Sequence, residues 1–144
     1  MSVFQPVSCQ SIKIGSKLMT FETPKVMGIL NLTPDSFFDG GKHSSLESAI
    51  LHAEKLIAEG ADMIDIGAYS SRPGAQEISA QEEMDRAIPF IEAIHQSNPD
   101  VILSIDTFRA DVAESCVQAG VHIINDISGG TLDENMFDTV ARLQ

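Results

Sequence analysis

The sequence predicts an α/β fold, namely the amino-terminal half of a (β/α)8 TIM barrel, with about four βα units preceded by a small β-hairpin. Four short apolar runs alternate with four segments of helical period, which is typical of parallel strands joined by crossover helices. Polar side chains follow every predicted strand, whereas an open doubly wound sheet, the alternative, concentrates its site at one switch point. A full barrel takes ~250 residues, and the chain has 144. We therefore expect one incomplete domain over residues 1–144, with residues 1–24 as a hairpin at the bottom of the barrel and residues 25–144 as the first four βα units.

The composition excludes several classes of protein. The formal net charge is −12, and the nine Lys and Arg residues are scattered, so no basic patch for nucleic acid is expected. No apolar run approaches the ~18 residues of a membrane span, and no signal peptide is predicted. Cys9 and Cys116 are far apart and outside any C-x-x-C spacing, so a disulfide framework is not expected, and a reducing, cytoplasmic compartment is favoured. An anionic ligand must then be bound locally, by backbone N–H groups, a placed cation or a metal ion.

The hairpin and the first βα unit are predicted from local patterns. Residues 11–21 alternate apolar and polar side chains around a turn at Gly15-Ser16, as hairpins do. The first strand is the apolar run Val26–Leu30. The helix after it opens with a capping box, Ser44-Ser-Leu-Glu47, and ends at Gly60.

The second and third units repeat this pattern. Met63–Ala68 is the second strand, and Ser79-Ala-Gln-Glu82 is a capping box for the second helix. Pro89 is expected to kink that helix or to shift its start. Val101–Asp106 is the third strand and Arg109–Ala119 the third helix. The apolar face of the second helix is predicted to comprise Met84, Ile88, Ile91 and Ile94.

The last unit completes the pattern. Gly120 ends the third helix, in which Cys116 is expected in the core, and His122–Ile127 is the fourth strand. A fourth helix is predicted to present one apolar face with Met136, Phe137 and Val140.

Two stretches of this sequence resemble the signature loops of dihydropteroate synthase. They are Met27-Gly-Ile-Leu-Asn-Leu-Thr-Pro-Asp-Ser-Phe37 and Ile64-Asp-Ile-Gly-Ala-Tyr-Ser-Ser-Arg-Pro-Gly74. Ser104-Ile-Asp-Thr107 and Ile123-Ile-Asn-Asp-Ile127 are similar to that family's third and fourth strand ends. The resemblance implies condensation of 6-hydroxymethyl-7,8-dihydropterin diphosphate with 4-aminobenzoate, giving 7,8-dihydropteroate and diphosphate for folate synthesis. It also implies Mg²⁺ as the cofactor and a homodimer.

The resemblance assigns roles to particular residues. Asn31 matches the residue that reaches the diphosphate through Mg²⁺. The resemblance does not fix the role of Asp35, which is either a turn residue or a carboxylate in a loop that closes over the diphosphate, as loops with such a Gly-rich exit often do. Asp106 and Asn125 match the pterin-binding pair. These residue types suit a pterin, because a carboxylate can accept two N–H donors and an amide can pair with an edge that has both a donor and an acceptor. Arg72 suits diphosphate or a carboxylate. Ser71, beside it, would donate to the aminobenzoate. The expected catalytic groups are Asp35, Arg72 and Asp106.

The sequence departs from the family pattern at two kinds of position. Tyr69 stands where the family usually has an acidic residue, and Ser71 where it has threonine. The family's later aspartate, its Ser-x-Lys and its Arg-x-His have no counterpart in these 144 residues. We therefore expect the chain by itself to be inactive or a very weak catalyst.

Other interpretations stay open at this point. A pterin-binding barrel of a methyltetrahydrofolate methyltransferase would share the Asp and Asn contacts without a diphosphate loop. A non-catalytic half barrel would expose sheet edges and oligomerise through them. Asp106 could merely cap a helix. Asp65 is expected to be a hydrogen-bonded interior group, or one that supports the residues contacting a ligand, and not a catalytic group. The cluster of Glu82, Glu83 and Asp85 is interpreted as a solvated helix face.

Overall fold

The computed structural model describes residues 10–15, 17–32, 42–69 and 77–143. It contains two sheets. The smaller is an antiparallel hairpin, and the larger has four parallel strands, each joined to the next through a helix. The strands are β1 Ser11–Ile14, β2 Lys17–Thr20, β3 Met27–Asn31, β4 Met63–Gly67, β5 Ile102–Asp106 and β6 Ile123–Asn125. The helices are α1 Lys42–Ala58, α2 Ala80–Ser97, α3 Ala110–Ala119 and α4 Met136–Arg142.

The order of the parallel strands is β3-β4-β5-β6, the same as their order along the chain. A doubly wound sheet would reverse direction at a switch point, whereas successive neighbours are the pattern of a (β/α)8 barrel. The predicted α/β fold, with a hairpin followed by four βα units in barrel order, is confirmed.

The two faces of this sheet have different partners. One face is packed under the helices and forms the main core with the buried apolar side chains of α1, α2 and α3. Successive side chains of each strand point alternately to this face and to the opposite one, which we call the inner face. The residues of the sheet that belong to the main core are Leu30, Ile64, Ile66, Leu103 and Ile105. Cys116, predicted in the core, is fully buried there.

The hairpin covers the amino-terminal end of the inner face. Its Ile14 and Met19 form a second, smaller apolar cluster with Met63 and Ile102. Lys17 of β2 also pairs with Asp100, with the Nζ and carboxylate oxygen 2.7 Å apart. The opposite, carboxyl-terminal end of the sheet is left for the polar side chains.

Several helix predictions need correction. The α1 helix begins at Lys42, so Ser44 lies within its first turn and is not the cap. The capping box at the start of α2 is correct, since Ser79 Oγ accepts from the Glu82 N–H at 3.1 Å. That helix begins at Ala80 and continues through Pro89 to Ser97, so Pro89 does not shift its start. In α4, Met136 is buried but Phe137 and Val140 are exposed, so the predicted apolar face is wrong at both of these residues. No helix within the described ranges has the length and apolar character needed to cross a bilayer.

Candidate functional site

Four residues at the carboxyl end of the sheet form one row. Asn31 of β3 is in register with Gly67 of β4, Gly67 with Asp106 of β5, and Asp106 with Asn125 of β6. Residues that share a register position on neighbouring parallel strands direct their side chains to the same face. The structure therefore brings together three predicted site residues, Asn31, Asp106 and Asn125, around a glycine. In an α/β barrel this edge is where active sites lie.

Gly67 leaves room for the Asn31 side chain. A Cβ at residue 67 would lie only 2.8 Å from Asn31 Oδ1, closer than real side chains approach. The backbone beyond the strands is also joined here, because the Leu32 N–H donates to the Gly67 carbonyl at 2.7 Å. Glycine at this position therefore allows the amide of Asn31, which is exposed, to lie across the neighbouring strand.

Asp106 is half-buried, and its pKa is raised above the ordinary aspartate value. Burial is the main cause, followed by the negative charges of Asp65, Glu83 and Asp126. The carboxylate is not a helix cap. The α3 helix begins after Arg109, and the Ala110 N–H donates instead to the Asp133 carboxylate at 2.8 Å. Asp106 is therefore available to a ligand.

Asn125 is held from below by Asp65. The Asn125 Nδ2 donates to Asp65 Oδ2 at 2.9 Å. Asp65 is 6% exposed, so the prediction of a hydrogen-bonded interior group is confirmed. The pair joins β4 to β6 across the inner face.

The remaining predicted site residues are Asp35, Ser71 and Arg72, and all three lie outside the described residues. Their roles stay predictions.

The predicted role of Asn31 in holding Mg²⁺ can be compared with the ligand atoms that the described residues offer. Its amide oxygen is one hard ligand of the kind Mg²⁺ accepts while it keeps waters or substrate phosphates. Within the described ranges, no group of three or more His, Cys, Asp or Glu side chains could hold a metal. One protein oxygen together with substrate phosphates fits this arrangement.

A buried ion pair beside the row was missed at the sequence level. Glu83 is fully buried and pairs with Arg109, so the interpretation of Glu83 as part of a solvated face is wrong. Arg109 also donates from Nη2 to the Ile78 carbonyl at 2.8 Å. Its guanidinium lies over two rings, 5.2 Å from the centroid of Tyr69 and 4.8 Å from that of Phe108.

A periodic signal could have identified Glu83. It stands four residues before Ala87 and eleven before Ile94, both buried on the same face of α2, and 3.6-residue periodicity places such positions together. The residue type conceals the pattern, because Glu is almost never buried unless it is paired. Tyr69, which stands where the family usually has an acidic residue, contacts the Arg109 guanidinium. That cation is already paired with an acidic residue, Glu83 of α2.

Comparisons with known proteins agree with this arrangement. The model of the family described as pterin binding enzyme matches residues 27–144. The folic acid synthesis protein fol1 of Pneumocystis carinii is 55% identical over 140 residues, which are 96% of this chain and 19% of that protein. The dihydropteroate synthase of Staphylococcus haemolyticus is 48% identical over 117 residues, 81% of this chain and 43% of that enzyme.

A solved structure, the Xanthomonas albilineans dihydropteroate synthase with 4-aminobenzoic acid, has a TM-score of 0.86 and 41% identity, and covers 93% of this chain and 49% of its own. The chain thus spans half or less of the length of these relatives. The resemblance to dihydropteroate synthase, stated from the two loops, is confirmed. Because the family match covers most of the sequence, the chain belongs to the pterin binding enzyme family.

Proposed function

We propose that the protein containing this chain is a dihydropteroate synthase. It would condense 6-hydroxymethyl-7,8-dihydropterin diphosphate with 4-aminobenzoate, releasing diphosphate and forming 7,8-dihydropteroate. The observation that carries this proposal is the row of Asn31, Gly67, Asp106 and Asn125 at one edge of the sheet. The names of the relatives and the family match support a role in folate biosynthesis.

The pterin end of the site would be Asp106 and Asn125, which are register partners. An ionised Asp106 accepts two N–H donors of a pterin edge and also faces the positive charge that develops on the pterin as diphosphate leaves. The Thr107 N–H donates to the Asn125 carbonyl at 3.1 Å, so the two strand ends remain joined beyond the sheet. This connection supports a fixed spacing between the two side chains.

The leaving-group end would begin at Asn31. Mg²⁺ bound there would neutralise the charge of the departing diphosphate. Arg72 would add a second positive charge, Ser71 would donate to the aminobenzoate, and Asp35 would act from the loop after β3. Asn31 of β3 and Asp106 of β5 flank Gly67 of β4 in the row, and this supports the placement of the two ends of one substrate on the two strands beside β4.

The proposal extends to assembly and location. Residues 1–24 would form the cap and residues 25–144 the first four βα units of the barrel. The active form would be a cytoplasmic homodimer, and the 144-residue chain by itself would be inactive or very weak. Burial of the Cys116 thiol, which raises its pKa to about 12, agrees with a structural thiol that has no redox chemistry.

The experiment is an assay of diphosphate release by the full-length protein encoded by the gene that contains this sequence. We expect release that requires Mg²⁺, the pterin diphosphate and 4-aminobenzoate together. Asn31→Ala and Asp106→Asn should each lower kcat/KM by about tenfold or more, the loss that follows from one charge-assisted contact. The 144-residue chain assayed in parallel should show little or no release.

Two outcomes would contradict the proposal. Absence of diphosphate release under any of these conditions would exclude the synthase. Unchanged turnover of Asn31→Ala and Arg72→Ala, with pterin binding retained, would favour a pterin-binding methyltransferase barrel, since that reaction has no diphosphate to stabilise.

A further inference from the structure

We propose that Asp65 is a positioning residue that fixes which way round the Asn125 amide faces the ligand, so that the amide oxygen and the second N–H of the amide nitrogen are offered in one fixed order. The inference rests on the proposed pterin site and deepens it. Asp65 lies one layer below the row, two residues before Gly67 on β4, on the same inner face. It therefore lies under the site without belonging to the row of side chains that would contact a ligand.

The contact between the two side chains sets the orientation of the amide. A carboxylate oxygen can only accept, so the atom of Asn125 that faces Asp65 must be the Nδ2 donor, and their separation is 2.9 Å. The amide oxygen of Asn125 then lies on the other side of the planar group. A free asparagine could rotate by half a turn and exchange the positions of its oxygen and its nitrogen. The bond to Asp65 holds one of the two orientations, in which the oxygen and the second N–H of Nδ2 remain for a ligand.

Burial makes this constraint strong. Asp65 is 6% exposed, and its register partner on β5, Ser104, is fully buried. Among the described residues, Asp65 Oδ1 and Ser104 Oγ have no hydrogen-bond partner. Asn125 Nδ2 is thus the one side-chain donor that the described residues offer to this carboxylate. Removal of the amide donor would leave a buried charge without compensation, so the orientation is coupled to the stability of the fold.

The arrangement predicts the chemistry of the ligand edge. Asp106, the register partner of Asn125, presents carboxylate oxygens, and the fixed amide presents its oxygen and its second N–H in one order beside them. A ligand edge with an N–H donor next to a ring-nitrogen acceptor in the matching order can pair with both groups. A ligand with the two groups exchanged would place like groups against each other, and unpaired polar groups of this kind are strongly rejected.

Asp65 has a second, separable effect. Its negative charge contributes to the raised pKa of Asp106, after burial. Asparagine at position 65 would keep an oxygen that accepts from Asn125 but would remove the charge. Leucine at the same position would remove both. The two variants therefore separate positioning of the amide from the electrostatic effect.

The experiment measures binding of 6-hydroxymethylpterin to the full-length protein by isothermal titration calorimetry between pH 4 and 8. Asp65→Leu should weaken binding about tenfold or more at pH 7.5. Asp65→Asn should bind within about threefold of wild type at pH 7.5, and the acid limb of its binding curve should move to lower pH, because Asp106 then ionises more easily. Ser104→Ala, a buried polar deletion in the same layer that leaves the Asp65–Asn125 bond intact, is the matched control and should bind as wild type does.

Several outcomes would overturn the inference. Binding by Asp65→Leu within twofold of wild type would show that the amide needs no fixation. Equal losses in Asp65→Asn and Asp65→Leu, or an unmoved pH profile in Asp65→Asn, would show a general structural role. If wild type itself failed to bind the pterin, the proposed function would fall first, and the inference with it.

Discussion

At the scale of single residues, the candidate site depends on the absence of a side chain at Gly67 as well as on the polar side chains around it. Gly67 is required because the Asn31 amide occupies the space of its absent Cβ. The sequence shows a glycine after an apolar strand, and many strands end in this way for reasons of backbone conformation. The requirement becomes visible only when β3 and β4 are placed side by side, since the two residues are far apart in the chain.

Gly67→Ala tests this close approach. The new methyl group meets the end of a flexible side chain and no backbone atom, so we expect nearly unchanged thermal stability but a displaced Asn31. Diphosphate release should then fall about as much as in Asn31→Ala, tenfold or more. The double variant should lose little beyond either single one, because both changes act on the same amide. Full activity of Gly67→Ala, measured with Mg²⁺ titrated, would contradict this account.

His122 gives the second residue-scale prediction. Its Nδ1 accepts from the Leu103 N–H at 3.3 Å, and its pKa is lowered by burial and then by the nearby His95 and Lys17. The unfolded chain therefore takes up the proton more readily than the folded one. The free energy of unfolding should be fully developed above pH ~6.5 and should decrease as the pH falls through that value toward the lower folded pKa.

Urea unfolding between pH 8 and pH 5 measures this effect. His122→Gln keeps a side-chain acceptor for the Leu103 N–H but does not titrate. Its stability should therefore vary less with pH than that of wild type in the same range. Parallel curves for the two proteins would show that His122 is not the source of the slope.

At the scale of elements, contacts between helices and strand ends support the row. Arg109 lies at the start of α3, pairs with Glu83 of α2, and stacks against Tyr69 beyond the end of β4. The Arg109 N–H also donates to Thr107 Oγ1 at 3.2 Å, which closes the turn after Asp106. One side chain thus connects the exits of two strands that carry the proposed site.

Loss of Arg109 should be strongly destabilising. Arg109→Met leaves Glu83 buried with no cation, and a buried pair broken on one side typically costs about 3–5 kcal/mol. Arg142→Met is the matched control, because its pair with Glu114 lies at the surface, where the change should be much smaller. Guanidinium unfolding followed by circular dichroism measures both.

A compensating change makes the interpretation specific. The double variant Glu83→Gln with Arg109→Met removes both charges, so it should recover part of the stability lost in Arg109→Met. If Arg109→Met and Arg142→Met had equal free energies of unfolding, the buried pair would contribute no more to the stability of this fold than the surface pair does.

At the scale of the whole molecule, the described sheet has apolar surface that nothing in the described part of the chain covers. Val26, just before β3, is 57% exposed, and Met27 and Ile29 within β3 are 38% and 66% exposed. The strand lies at one end of the four-stranded sheet, and an edge strand with apolar side chains is a site of association. The interpretation as an oligomerising half barrel predicted such a surface.

We expect the 144-residue chain to self-associate through this edge. Light scattering after size exclusion should show a mass that rises with protein concentration. Ile29→Lys should reduce the association, since a charge on an edge strand opposes pairing. Leu51→Lys on α1, where the leucine is 65% exposed, is the matched control and should leave the association unchanged. A monomer at every concentration would contradict this expectation.

The sequence by itself determined the order of the elements and the residue type at each strand end, because apolar period, capping boxes and glycine stops are local signals. Asn31, Asp106 and Asn125 were identified in this way as polar residues at strand ends, and the resemblance to the family then implied their roles. Only the tertiary structure decided that these three share one row, that Gly67 makes space for Asn31, and that the Asn125 amide donates to Asp65. The physical reason is that strand register and the pairing of buried charges depend on contacts between residues distant in the chain, which no local pattern contains.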